Sequence, residues 1–311
     1  MLPVDTISED KYAPAPASAS LKSPKTVVFI RHAESHWNRA AKPKRPHLFL
    51  LALLGRDHTL TSKGYAQAAA LQEALRECKA HGAGNGLAAA HDAGTVWISP
   101  LTRALQTALV GLLPVLTREP APPPVRLRPL IKEQRSSIAS RDNVGAGTGE
   151  NIFRRACARL ARLPAPPVEA SLSAMRDVGA RSDLAEVQQP WWYPRRENRR
   201  ALHVRTSALI DELRADEHAT VVVVSHSNFL KILMEQQLAD DGCPERPGLA
   251  RALQTTKLPN CGVLVCTLES EGARPLRNAR VVWPPDGADT LLAKAAHGRK
   301  PKGGSGRVAA E

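Results

Sequence analysis

Along this chain, short apolar runs alternate with stretches in which apolar residues recur every three or four positions. Residues 26–30 (TVVFI) form a β-branched run that stops at Arg31-His32. Thr95–Ile98 (TVWI) reads as a second strand, and residues 125–130 as a third, weaker one. In 220–224 (TVVVV) both faces are apolar, the mark of a strand covered on both sides. Val263–Leu268 and residues 280–283 complete the strand set. Helical spacing fills the intervals. In 61–78 it places Tyr65, Ala68, Ala69, Leu71 and Leu75 on one side, and residues 101–113, 201–213 and 228–238 read as further helices. Ser99 is expected to cap the helix at 101, with Pro100 in its first turn, where a missing N–H costs nothing. Strands followed by helices in this way predict an α/β fold, a mostly parallel central sheet with helices on both faces. In such sheets ligands bind outside the carboxyl ends of the strands, often beside helix amino termini.

The chain has 311 residues, 43% of them hydrophobic, enough for one large domain core. No apolar run reaches the roughly 18 residues of a membrane span; the longest are 48–54 and 221–224. Five cysteines in a chain of this length make no disulfide framework. Cys261 and Cys266, an odd number of residues apart in a strand-like run, face opposite sides and cannot share a metal. They read as small buried hydrophobes in a reducing compartment. Residues 1–24, rich in Pro, Ala and Ser, read as a disordered arm, 25–290 as one folded domain with an insertion around 164–200, and 291–311 as a disordered basic tail. The amino-terminal segment has no basic region followed by an apolar one, and it carries Asp5, Glu9 and Asp10; the expected location is cytoplasmic.

The formal net charge is +13, gathered in 39–45, 126–141, 154–162, 195–200 and the tail. No zinc finger, RNP motif or interleaved aromatic residues accompany it, so neither a specific nucleic acid nor a membrane is the expected partner. An anionic small molecule remains. Three strand candidates end in chemically loaded residues: Arg31-His32, Ser99-Pro100 ahead of Arg103, and Ser225-His226-Ser227. Two imidazoles and two guanidinium groups would meet at one rim, with helix amino termini aimed into it. That set suits a phosphoryl group, whose oxygens match arginine forks. A neutral imidazole is also a nucleophile toward phosphorus, giving an N-phosphorylated histidine that water or a second acceptor then attacks. The scheme calls for no metal and no cofactor.

Residues 31–38 (RHAESHWN), 60–68 (LTSKGYAQA), 99–107 (SPLTRALQT) and the strand 221–224 running into Ser225-His226 together resemble the histidine phosphatase superfamily, the phosphoglycerate mutase-like clan. The resemblance implies that His32 is the phosphorylated nucleophile. It implies that Arg31, Arg103 and His226 form the phosphate pocket and that Asn38 lines it. Glu133, in 128–133 (RPLIKE), takes the place of the carboxylate that protonates the leaving group, a task suited by a raised carboxyl pKa. Family members often continue with a Gly and a second Glu; this chain has 134–137 (QRSS), and Glu150 is the fallback acid. Glu34 is expected to orient its loop.

The E-R-H-Y-G stretch of the mutases is absent, which favours the phosphatase-type branch: a metal-independent phosphomonoester hydrolase of the histidine acid type. Its substrate would be a phosphorylated small molecule or a phosphorylated protein, and Arg39, Arg56, Arg135 and Arg141 would favour a polyanionic one. A mutase-type phosphotransferase and an inactive phospho-ligand-binding module are the alternatives. Residues 145–149 (GAGTG) read as a flexible loop. Trp191, Trp192 and Tyr193 read as packing the insertion onto the body.

Overall fold

The structure, a computed structural model, describes residues 23–41, 55–81, 86–135, 141–192 and 196–297. The apolar run 48–54, Tyr193, nearly all of the amino-terminal arm and the end of the basic tail lie outside the described residues. Six strands form one sheet: β1 (Lys25–Arg31), β2 (Thr95–Ile98), β3 (Val125–Leu127), β4 (Thr220–Ser225), β5 (Val263–Leu268) and β6 (Leu276–Trp283). Their order is β3-β2-β4-β1-β5-β6. The first four run parallel, and β5 and β6 add an antiparallel edge. The helices are α1 (His36–Ala40), α2 (Ser62–His81), α3 (Ala88–His91), α4 (Thr102–Gly111), α5 (Leu113–Leu116), α6 (Asn151–Leu160), α7 (Glu169–Ala180), α8 (Arg199–Ala215), α9 (Ser227–Gln237), α10 (Leu249–Thr255) and α11 (Gly287–His297).

Strand alternation divides the core into two layers. Val28, Ile30, Val96, Ile98, Val222 and Val224 point toward α2, α4, α6 and α7. Val27, Phe29, Trp97, Val221 and Val223 point the other way, toward α8, α9, α10 and α11. Burial of both faces is what the unbroken apolar runs required. Cys261 belongs to the first layer and Cys266 to the second, and all five cysteines are buried thiols outside any disulfide. Among the described residues no helix is long and apolar enough to cross a membrane.

Several elements differ from the sequence expectation. α4 starts at Thr102, after an extended Leu101, so Pro100 stands outside the helix. Ser99 does not supply the cap: its hydroxyl meets the Leu101 N–H only at 3.4 Å, and the Asp57 carboxylate accepts from the Thr102 N–H and hydroxyl at 2.7 Å each. α6 emerges from a segment read only as a basic cluster, because Ile152, Phe153, Ala156, Cys157 and Leu160 form a buried stripe between surface arginines. Residues 291–297, expected as the start of the tail, are helical: α11 runs to His297 with Leu291 fully buried. The 145–149 loop is clamped, not free. The Arg56 guanidinium donates to the Gly145 carbonyl at 2.7 Å and the Trp191 indole to that of Gly147 at 3.0 Å. A Cβ on Gly145 would lie 2.3 Å from the Trp191 ring.

The 60–68 segment is the lock between α2 and the loop that follows β1. The Thr61 N–H donates to the Glu34 carbonyl at 3.0 Å, the Gly64 N–H to the Thr61 hydroxyl at 3.0 Å, and the Glu34 N–H to Gln67 Oε1 at 2.9 Å. The Thr61 hydroxyl also reaches the Glu34 carboxylate at 3.1 Å, which is how Glu34 orients the loop. A Cβ on Gly64 would stand 2.0 Å from the Glu34 carbonyl oxygen. Backbone cannot yield there as a side-chain tip can. Gly64→Ala should therefore lower unfolding stability by about 3 kcal/mol, at the upper end of overpacking costs. Urea denaturation checks this, and a midpoint within error of wild type would mean that the loop gives way freely.

Candidate active site

The carboxyl ends of β1, β2 and β4 are level, because Arg31 pairs with Ser225 and Ile98 with Val224. His32 follows β1 and its N–H still donates to the Ser225 carbonyl at 3.0 Å. Its Nδ1 lies 2.7 Å from the Ala33 carbonyl. A carbonyl only accepts, so Nδ1 carries the proton and Nε2 keeps its lone pair. Burial, and then the charges of Arg103 and Arg31, hold the His32 pKa well below the ordinary imidazole value, with the Ala33 contact acting against them. The ring is neutral at pH 7.

His226 ends β4 and stands at the amino cap of α9. Its ring centre is 5.1 Å from that of His32, tilted by 53°. Its Nε2 sits 2.7 Å from the Ser99 hydroxyl, the partner that draws Ser99 away from α4. Its Nδ1 is buried without a hydrogen-bond partner among the described residues. Burial again leads the lowering of its pKa, followed by Arg103, His32, Arg205 and Arg31.

Arg31 donates through Nη1 to the Leu258 carbonyl at 2.5 Å, while its buried Nε is without a hydrogen-bond partner among the described residues. Burial lowers its pKa to about 10, with Glu133 opposing and Arg103 adding to the effect. Arg103, in the first turn of α4, donates to the Asp142 carbonyl at 2.9 Å and to Asn143 Oδ1 at 2.6 Å. Buried charge of this kind requires a counter-charge or a full set of partners. Unpartnered buried donors beside two guanidinium groups therefore fit a tetrahedral oxyanion.

Glu133 follows a 3₁₀ turn at Pro129–Ile131 and is 5% exposed. Its carboxylate accepts from the Asn228 and Phe229 N–H groups at 3.1 Å each, from the Ser227 hydroxyl at 3.2 Å and from the Gln134 N–H at 2.9 Å. It thus occupies the amino end of α9, directly after His226, where a negative charge is favoured. Glu150 is elsewhere. It is exposed at the start of α6, lining a cavity of about 810 Å³ between α6 and α7 that none of the other site residues reaches. Asn38 stands one step back from the imidazoles. Its Oδ1 accepts from the Ser35 N–H at 3.2 Å and from Asn260 Nδ2 at 3.1 Å, and Asn260 also donates to the His32 carbonyl at 3.1 Å.

Sequence reasoning missed Asp57, Asp142, Asn143, Leu258 and Asn260. The last two had a signal. β5 runs antiparallel to β1, so the residues before it arrive at the rim where β1 ends. Asp142 and Asn143 gain meaning only through contact with Arg103, which no local pattern announces.

A profile of the histidine phosphatase superfamily, branch 1, matches residues 27–119 and 174–277. That is more than half of the chain, and the chain belongs to this superfamily. Glu133 and Asp142 fall in the unmatched stretch between the two blocks. No curated protein matches the chain. Among solved structures, a phosphoglycerate mutase from Bacillus anthracis is 15% identical, with 89% of this chain and 99% of that one covered at a TM-score of 0.46. A putative alpha-ribazole-5'-P phosphatase from Escherichia coli is 18% identical, covering 83% and 96%, at 0.45. A mycobacterial glucosyl-3-phosphoglycerate phosphatase is 19% identical, covering 83% and 98%, at 0.40.

The Asp142 carboxyl is pushed up to about 6, by burial first, with Arg103 opposing and Glu133 adding. It holds its proton more tightly in the native state than at its ordinary value of 3.8, so this group costs stability progressively as pH rises from about 4 to about 6. Asp142→Asn should gain in Tm relative to wild type between pH 4 and pH 7. A constant offset across that range would remove Asp142 as the titrating group.

Proposed function

We propose that this chain hydrolyses phosphomonoesters through a phosphohistidine on His32. The observation that carries the reading is a neutral His32 whose Nε2 lone pair lies in a closed cationic site, beside the second imidazole. In the first step Nε2 forms a bond to phosphorus as the ester P–O bond breaks. Glu133 takes up a proton from the phosphate monoanion as the ester enters and passes it to the departing oxygen, returning to the carboxylate held by the Asn228 and Phe229 N–H groups. Arg31, Arg103 and His226 carry the charge on the three equatorial oxygens. Asn38 supports the loop that holds His32 and borders the phosphate.

In the second step water attacks phosphorus and gives its proton to Glu133. The P–N bond breaks, its electrons return to Nε2, and inorganic phosphate leaves. One carboxyl serves as acid and then as base, so its proton count is restored after each turnover. Hydrolysis is favoured over transfer because the mutase-type E-R-H-Y-G stretch is missing around Glu133. The substrate is a phosphorylated small molecule or protein.

The test is a rapid-quench pulse of a labelled phosphomonoester on wild type and His32→Ala. Wild type should release phosphate and show transient, acid-labile, base-stable label on the protein. His32→Ala should lose both, with turnover down by at least about 10³-fold. Label without release would mark a phosphotransferase awaiting an acceptor, and neither signal would mark a phospho-ligand-binding module.

A further inference from the structure

Arg205 lies in the middle of α8 with no exposed surface, yet the catalytic scheme does not use it. Its Nε and Nη2 donate to the two carboxylate oxygens of Glu197 at 2.7 and 2.6 Å. Its Nη1 donates to the Leu130 carbonyl at 2.6 Å and the Lys132 carbonyl at 2.8 Å. The guanidinium carbon stands 4.7 Å from the centre of the Phe229 ring. Each of these partners borders Glu133. Leu130, in the 3₁₀ turn, and Lys132, just after it, precede Glu133, and the Phe229 N–H binds its carboxylate.

Glu197 closes the far side. Its N–H donates to the Arg135 carbonyl at 2.9 Å, and its carbonyl accepts from Gln134 Nε2 at 3.2 Å. The segment 130–135 is therefore gripped before and after Glu133 by one ion pair. Burial works against the Glu197 charge, but Arg205 overcomes it and holds the carboxyl below the usual carboxylate range. A buried pair of this kind gives little net stability over a well-packed apolar replacement. What it does supply is a fixed fork of donors for carbonyls that no sheet or helix pairs.

We propose that the Arg205–Glu197 pair is a positioning device for Glu133, setting its carboxyl against the amino end of α9 at the height of the phosphoryl group. The proposal rests on Glu133 being the leaving-group acid. Its signature is selective. In the formation of the phosphohistidine, esters whose leaving oxygen must be protonated as it departs depend on the pair, and esters with a stable aryloxide leaving group do not.

The experiment compares kcat/KM, which reports phosphohistidine formation and not the shared hydrolytic step, on an alkyl phosphate and on p-nitrophenyl phosphate for wild type, Arg205→Lys, Glu197→Gln, Glu133→Gln and Leu291→Ala. Leu291→Ala opens the α11 core and reports general destabilisation alone. Arg205→Lys and Glu197→Gln should each lower kcat/KM on the alkyl ester at least about tenfold more than on the aryl ester, a fraction of what a general acid supplies. Phosphohistidine formation from the aryl ester should persist in both variants. Equal losses on the two esters, as in Leu291→Ala, overturn the proposal even where Glu133→Gln discriminates between them. No discrimination in Glu133→Gln removes Glu133 as the acid and the proposal with it, while the His32 pulse still decides the phosphohistidine route independently. Should Arg205→Lys fail to fold by its urea transition, Glu197→Gln alone decides, since it keeps the shape of the pair.

Discussion

Two guanidinium groups, Arg31 and Arg103, are sealed beside two imidazoles at the carboxyl rim of the sheet, and the surrounding structure is arranged around that concentration of positive potential. Repulsion is relieved in three ways. Both histidines remain neutral, since protonating either one would add a third buried cation. The Leu258 and Asp142 carbonyls each accept from one arginine. Glu133 places one carboxylate nearby, itself held by the dipole of α9. A phosphoryl dianion would complete what these partners leave unfinished, and specificity for that charge and shape needs no further device.

The residues around this centre act less as reagents than as fasteners. Thr107 accepts from the Ala33 N–H at 3.0 Å, Gln106 accepts from the Leu60 N–H at 3.0 Å, and Gln106 donates to the Ala156 carbonyl at 3.0 Å. Through these bonds α4 ties the loop after β1 to α2 and α6. The polar residues of the 60–68 and 99–107 segments are thus mostly occupied in satisfying loop backbone, which in a buried setting is an obligation. Rigidity at the rim follows from that occupation.

Much of this was legible in the sequence, and the reasons are local. β1, β2 and β4 announce themselves because both of their faces are covered, and their last residues fall at one rim because parallel strands end together. α6 was hidden behind its arginines, which dominate composition while a five-residue stripe does the packing. Ser99 shows the limit most clearly. Next to a helix start, local propensity makes it a cap, but an imidazole 127 positions later in sequence claims its hydroxyl and a distant carboxylate takes over the cap. Asp142, Asn143 and the Arg205–Glu197 pair carry no local signal, since each is defined by partners that only the folded chain brings near.

The antiparallel placement of β5 has a bearing on how the molecule comes into being. Leu258, Asn260 and Cys261 all bond to Arg31 or His32, across some 227 residues of sequence. Synthesis proceeds from the amino end at a few residues per second. His32 is therefore made near the beginning and receives its last supports near the end. A nascent chain halted before Leu258 would hold every strand of the parallel half and still leave the guanidinium of Arg31 without the carbonyl that receives it. The full set of bonds around Arg31 and His32 is therefore completed only late in synthesis.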